Sequence, residues 1–261
     1  MKICIERSDR KGDMILTLPV IQAVKEKNPQ AIIHVIASQK NVKICKQYRL
    51  IDKIFEKSKI SSFNKLRKSI SAENYDYYFA FSTGWFGLRL GFFSKSKIRS
   101  SLILKSRYSS NVLSKLGQII FSKLFYSKSL VINRFKLLQA NKDIHQTYMM
   151  MDVIEKSGIT INKKIQTEFI FNNIFTLNKN KTVCVINLSS KWVNTYYSEE
   201  NFMDLVKLLN EKNISIYLTT DETTKNKFSK IFDTYDSVKD PSDIQKNKKS
   251  ILICNNFNFE N

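Results

Sequence analysis

Apolar positions along the chain alternate between two periods. Lys2-Ile3-Cys4-Ile5-Glu6 is a short apolar run that closes on Ser8-Asp9-Arg10-Lys11-Gly12-Asp13. Beyond it Leu16, Val20, Ala23 and Val24 recur at helical spacing. The pattern predicts strand, loop, helix. Pro19 falls inside the helical stretch and predicts a kink or a loosened first turn, and Pro29 ends it. Residues 31–36, Ala31-Ile32-Ile33-His34-Val35-Ile36, are β-branched and nearly unbroken in apolarity, as in a parallel strand covered on both faces. His34 then reads as a structural strand residue. Residues 52–55 predict a third strand, 62–72 a helix, and 75–81 a fourth strand ending at Ser82-Thr83-Gly84.

Alternation at this pitch argues for an α/β parallel sheet with right-handed crossovers. Such sheets bind ligands at the carboxyl ends of their strands, which directs attention to the loops after Glu6 and Phe81. Residues 143–156 predict a helix with Ile144, Tyr148, Met151 and Ile154 on its apolar stripe and a stop at Ser157-Gly158. Its methionines read as core filling. Polar, Asn/Lys-rich residues around Phe169-Ile170-Phe171 fit a connection between two domains, placed here at 1–176 and 177–261. The second domain reads as a strand at 182–188, a helix at 199–210 capped by Ser198, a strand at 214–220, a helix at 223–232 and a strand at 250–254. Three strands leave an unfinished sheet edge, which natural proteins normally avoid.

Charge changes this picture. The 261 residues carry 43 Lys+Arg against 23 Asp+Glu, a net +20, which favours phosphate-bearing partners without choosing among nucleic acid, anionic lipid and sugar nucleotides. Lys, Asn, Ile, Phe and Tyr, whose codons are A/T-rich, are all abundant, so genome composition is one reading of the lysine content. It does not account for the absence of every Asp and Glu between Tyr77 and Lys142, where basic residues from Arg89 to Lys136 recur. Phe92, Phe93, Leu102, Ile103, Leu104, Phe121, Leu124, Phe125 and Tyr126 interleave with that basic run, which suits a segment lying against phosphorylated lipid head groups.

Composition excludes several classes. Three prolines and six glycines rule out collagenous and linker-like chains. Cysteines at 4, 45, 184 and 254 form no Cys-x-x-Cys pair, and with only His34 and His145 beside them they argue against a zinc site and for free, reduced thiols. Charge at Glu6 and Arg7 interrupts any signal-peptide core, and no run approaches the ~20 apolar residues that span a bilayer. The expectation is a cytoplasmic protein, peripheral at most to the inner face of the membrane.

In the loop after the first strand, Gly12 permits close backbone approach, and Asp13 stands where a carboxylate either caps the helix or accepts a proton from a sugar hydroxyl. Neither G-x-G-x-x-G nor a P-loop pattern is present. The stretch from Arg7 to Ile21, with Lys25 and Pro29 downstream, resembles the N-terminus of family 9 glycosyltransferases, the lipopolysaccharide heptosyltransferases, and includes the awkward Pro19. His145-Gln146 leading a helix that ends Lys156-Ser157-Gly158-Ile159, and Ser198-Glu199-Glu200-Asn201-Phe202 opening another, extend the similarity.

The resemblance implies a GT-B-like α/β architecture, two Rossmann-like domains facing across a cleft, the first binding acceptor and the second donor. It implies inverting, metal-independent transfer of heptose from ADP-heptose to a lipopolysaccharide core acceptor, with no bound cofactor. It makes Asp13 the general base, supported by Arg10, Lys11, Gly12, Thr83 and Gly84. Donor phosphates would lie at Ser189, Ser190 and Lys191. The chain departs from the family where Tyr197-Ser198 replaces Trp-Pro with no lysine just before it, leaving Lys191 as either a substitute or an ordinary surface residue. It also ends before the family's acidic-Ser/Gly-Gly-x-x-His motif, so the second domain reads as incomplete. The alternatives are a family member using another nucleotide sugar, or a non-catalytic basic module binding anionic lipid or nucleic acid without sequence preference.

Overall fold

The structure is a computed structural model that describes residues 1–60, 62–82, 84–105, 112–133, 145–165, 183–188, 198–220 and 238–239. The chain divides into two compact units, Met1–Asn172 and Asn173–Asn261.

The first unit is built on six parallel strands: β1 (Lys2–Glu6), β2 (Ile32–Ala37), β3 (Lys53–Glu56), β4 (Tyr77–Ala80), β5 (Ile98–Lys105) and β6 (Lys128–Asn133). Their order is β3-β2-β1-β4-β5-β6. The chain moves outward from β1 through β2 to β3, returns to β4 and then moves outward the other way, so the order reverses between β1 and β4. Register there pairs Ile3 with Tyr77 and Glu6 with Ala80. Side chains of β1 alternate between two cores: Ile3 and Ile5 join one, Cys4 the other.

Helices cover both faces. On the Ile3/Ile5 side lie α2 (Leu18–Lys27), α3 (Val42–Gln47) and, further along the chain, α7 (Gln146–Lys156); on the Cys4 side lie α4 (Phe63–Ala72), α5 (Trp85–Phe93) and α6 (Val112–Phe125). A short helix α1 (Lys11–Ile15) precedes α2. The expected helix after the first strand is thus two helices: the chain breaks at Leu16-Thr17, and Pro19 sits in the first turn of α2, where its missing N–H is not needed. His34 is buried, with Nδ1 2.8 Å from Tyr75 Oη.

Helix ends share one device. Asn74, Lys95 and Gly158 follow α4, α5 and α7 with φ of 52°, 57° and 93°, the left-handed conformation that turns the chain back toward the sheet. Only at Gly158 does the sequence use glycine for it. In α7 the methionines are core, as Met149, Met150 and Met151 are buried; of the predicted stripe Met151 and Ile154 are buried, while Tyr148 is 38% exposed. Ile144 lies outside the described residues.

The described residues of the basic stretch beyond β4 fold into α5, β5, α6 and β6. Leu102, Ile103 and Tyr126 are buried in the sheet cores, while Leu124 and Phe125 are exposed. The structure therefore assigns part of that apolar content to the fold, because two parallel strands need apolar side chains on both faces.

In the second unit β7 (Val183–Leu188), β8 (Ser215–Thr220) and β9 (Val238–Lys239) form a parallel sheet in that order, with α8 (Glu199–Glu211) packed on β8. Ser198 caps α8, its Oγ accepting from Asn201 N at 3.2 Å, and Phe202, Val206 and Ile216 are buried. The helix expected at 223–232 and the strand at 250–254 lie outside the described residues.

Candidate functional site

The carboxyl ends of β1 and β4 meet where the strand order reverses, and the loops after Glu6 and Phe81 are joined by side chains. Glu6 is buried; its Oε1 accepts from Ser8 Oγ at 2.6 Å, Ser8 N at 3.2 Å and Ser82 Oγ at 2.8 Å. Ser82 Oγ accepts in turn from Ser8 N at 2.9 Å. Glu6 Oε2 has no hydrogen-bond partner and faces Gly87, where an added Cβ would collide with it. Glycine is required there so that α5 can approach the strand end.

Arg7, wholly buried, is the centre of the arrangement. Its Nη1 donates to Phe81 O, its Nε donates to Asp13 O at 3.1 Å, and its backbone is held by Ile36 O and by Asn41 Nδ2. Nε lies 3.3 Å from Asp9 Oδ1 and Nη2 lies 3.2 Å from Asp13 Oδ1. These last two are ion pairs whose angles do not make hydrogen bonds. The guanidinium thus faces both carboxylates of the loop.

Asp13 sits in the first turn of α1, but Arg10 is the N-cap and no side chain caps the helix. Of the two readings left open for Asp13, helix cap and reactive carboxylate, the cap is removed. Its Oδ2 accepts from Arg10 Nε at 3.0 Å, and its side chain is 13% exposed. Arg10 and Lys11 are exposed. Gly12 is exposed too, and a Cβ added there would meet nothing within 4 Å, so no close approach within the chain requires glycine at that position. The same holds at Gly84, which opens α5. Thr83, Ser189, Ser190 and Lys191 lie outside the described residues.

Sequence reasoning passed over Asp9. Burial pushes its carboxyl up to about 6, against the pull of Arg7 and with the added repulsion of Asp13 and Glu6. Asp9, not Asp13, lines an open depression of about 480 Å³ together with Ser8, Arg10, Ser38, Lys40 and Lys57. A carboxyl at about 6 is suited to proton transfer near neutrality, and the three cations suit an anionic ligand. The overlooked signal was an apolar strand closing on two charged residues, Glu6 and Arg7, followed by a second acid. Among the described residues no group of His, Cys, Asp and Glu is arranged to hold a metal ion, and no helix is long and apolar enough to cross a membrane.

No protein-family model and no curated protein matches the sequence. Solved structures do match. The E. coli heptosyltransferase WaaC with ADP superposes with a TM-score of 0.68 at 14% identity, over 92% of this chain and 74% of that one. The E. coli ADP-heptose lipopolysaccharide heptosyltransferase II gives 0.64 at 11%, over 92% and 72%. A family 9 glycosyl transferase from Veillonella parvula gives 0.68 at 16%, over 92% and 69%. With its reversed parallel sheet and second α/β unit, the chain has the α/β fold of the GT-B-type glycosyltransferases.

Proposed function

We propose that this chain is a family 9 glycosyltransferase that moves a sugar from a nucleotide-sugar donor to a hydroxyl of a lipid-linked saccharide. The observation that carries the reading is the pair Asp9 and Asp13, set by buried Arg7 at the strand-order reversal of a heptosyltransferase-like fold. The first-loop motif resembling that family points the same way. The donor is ADP-heptose and the acceptor a lipopolysaccharide core sugar, reached from the cytoplasmic side of the membrane.

In the proposed reaction Asp13 accepts the proton of the acceptor hydroxyl as its oxygen attacks the anomeric carbon from the face opposite the departing diphosphate, which inverts the configuration. Arg7 and Arg10 fix that carboxylate, and fixing it in advance avoids reorganisation during transfer. The leaving ADP carries its charge to Ser189, Ser190 and Lys191 and neighbouring backbone N–H groups. A second reading gives the proton to Asp9, which lines the depression and whose carboxyl is raised to about 6.

The test is ADP release and transfer of labelled heptose to a lipopolysaccharide core acceptor by the 261-residue chain. Asp13→Asn is expected to lower turnover by about 10² to 10⁴ while ADP-heptose, and not ADP-ribose, still raises the melting temperature. Loss in Asp9→Asn with full activity in Asp13→Asn moves the base to Asp9. Undiminished transfer in both variants overturns the mechanism, and absence of any stabilisation by ADP-heptose overturns the donor.

A further inference from the structure

Helix α6 buries two polar side chains beside one apolar one and turns its leucines outward. Its buried positions are Gln118, Ile119 and Ser122, which are 6%, 8% and 0% exposed. Its outward positions are Val112, Leu113, Leu116, Ile120, Leu124 and Phe125, with Leu113 81% and Leu124 70% exposed. Positions 113, 116, 120 and 124 stand at helical spacing and make one stripe along the 14-residue helix. A helix meant only to cover a sheet turns leucine inward and serine outward. An exposed apolar stripe of this length marks an interaction surface.

The charge of the same layer says what covers it. Helices α4, α5 and α6 pack side by side and carry Lys65, Arg67, Lys68, Arg89, Lys115 and Lys123 with no Asp or Glu. The opposite layer mixes signs, with Glu26, Asp152 and Glu155 among its lysines. Arginines of the basic layer lie on aromatic rings, Arg67 4.7 Å from the Phe93 centroid and Arg89 5.1 Å from that of Phe63, so cationic groups and apolar surface are interleaved. A second copy of the chain would bring a like-charged face to this one, and nucleic acid would leave the leucines in water. An anionic bilayer surface satisfies both features at once.

We propose that the α4–α5–α6 layer is a membrane-docking face, with the apolar stripe of α6 lying in the head-group region of an anionic bilayer and the basic side chains of α4 and α5 against its phosphates. This deepens the reading above, in which the acceptor is lipid-linked, by naming the face that meets the lipid. The test uses vesicles that hold neither donor nor acceptor, so its failure leaves the transferase reading to its own assay.

The full chain is sedimented with phosphatidylcholine vesicles with and without phosphatidylglycerol. Expected are binding only when phosphatidylglycerol is present, a loss of about tenfold or more in Leu113→Ser/Leu124→Ser, and a comparable loss in Lys65→Gln/Lys68→Gln. Tyr148→Ser on α7, beyond the opposite face of the sheet, is expected to bind as the parent does. Trp85, whose Nε1 donates to Ser114 Oγ of α6, supplies a readout that needs no leucine variant: in a Trp192→Phe background, lipids brominated in the acyl chain should quench its fluorescence. Equal binding by the leucine variant and the parent, equal binding to both vesicle types, or self-association abolished by the leucine variant without vesicle binding would each overturn the proposal.

Discussion

Arg7 Nη2 lies 3.2 Å from Asp13 Oδ1, and the arginine side chain that makes this pair has no exposure at all. A buried guanidinium is costly unless it is compensated, and here Asp9, Asp13 and the Phe81 carbonyl compensate it. Arg7→Met should therefore leave Asp9 without its cation and Asp13 with Arg10 alone, and lower stability by roughly 3–5 kcal/mol in urea unfolding. Arg7→Lys keeps the charge but loses the fork, and is expected to fold while positioning Asp13 poorly. A stable Arg7→Met protein would show that the pair is not a structural requirement.

Asp9 makes a prediction for pH. Its carboxyl is raised from 3.8 to about 6 in the fold, so the native state holds its proton longer than the unfolded chain does. The contribution is fully present below about 4 and is lost as pH rises through about 6. Asp9→Asn should be more stable than the parent near neutrality, by about 1–2 kcal/mol after allowance for partial exposure, with the advantage vanishing toward pH 4. Thermal melts of the two proteins across that range read the difference directly. A constant offset would remove the assigned cause.

His34 titrates with the other sign. Burial holds its imidazole below the ordinary value of 6.5; Glu73 and Asp52 work to raise it, Lys2 and Lys53 to lower it further. The neutral ring beside Tyr75 contributes stability that is present above 6.5 and is lost as pH falls through its lowered value. His34→Gln is expected to lose stability at pH 8 yet destabilise less steeply than the parent below pH 6, a slope that melts in dilute salt would show. Parallel slopes would contradict it.

Gly87 tests the contact between α5 and the site. An alanine Cβ would meet the Glu6 carboxylate, and neither group is free to move far, because Glu6 is held by Ser8 and Ser82. Gly87→Ala should cost roughly 1–3 kcal/mol, and the cost should shrink in a Glu6→Ser background, where the collision is gone. Chemical denaturation of the four proteins of this cycle gives the coupling. Strict additivity would place the strain elsewhere.

The sequence by itself determined the alternation of strand and helix, because period-2 and period-3.6 patterns are written locally: strands near 2–6, 31–36, 52–55 and 75–81 and the cap at Ser198 need no distant partner. It also pointed to the loops after Glu6 and Phe81, since the parallel alternation implies binding at strand ends. Basic charge concealed β5 and β6, whose apolar residues read as a surface segment until neighbouring strands covered them. Tertiary structure alone decided that Arg7 is buried, because the carbonyls it donates to, Ile36 of β2 and Phe81 just past β4, lie far along the chain. It decided likewise that Asp13 does not cap its helix, that Asp9 faces the depression, and that the leucines of α6 point outward. Each of these depends on which side of an element meets a neighbour, and periodicity records that a side is apolar without recording what lies against it.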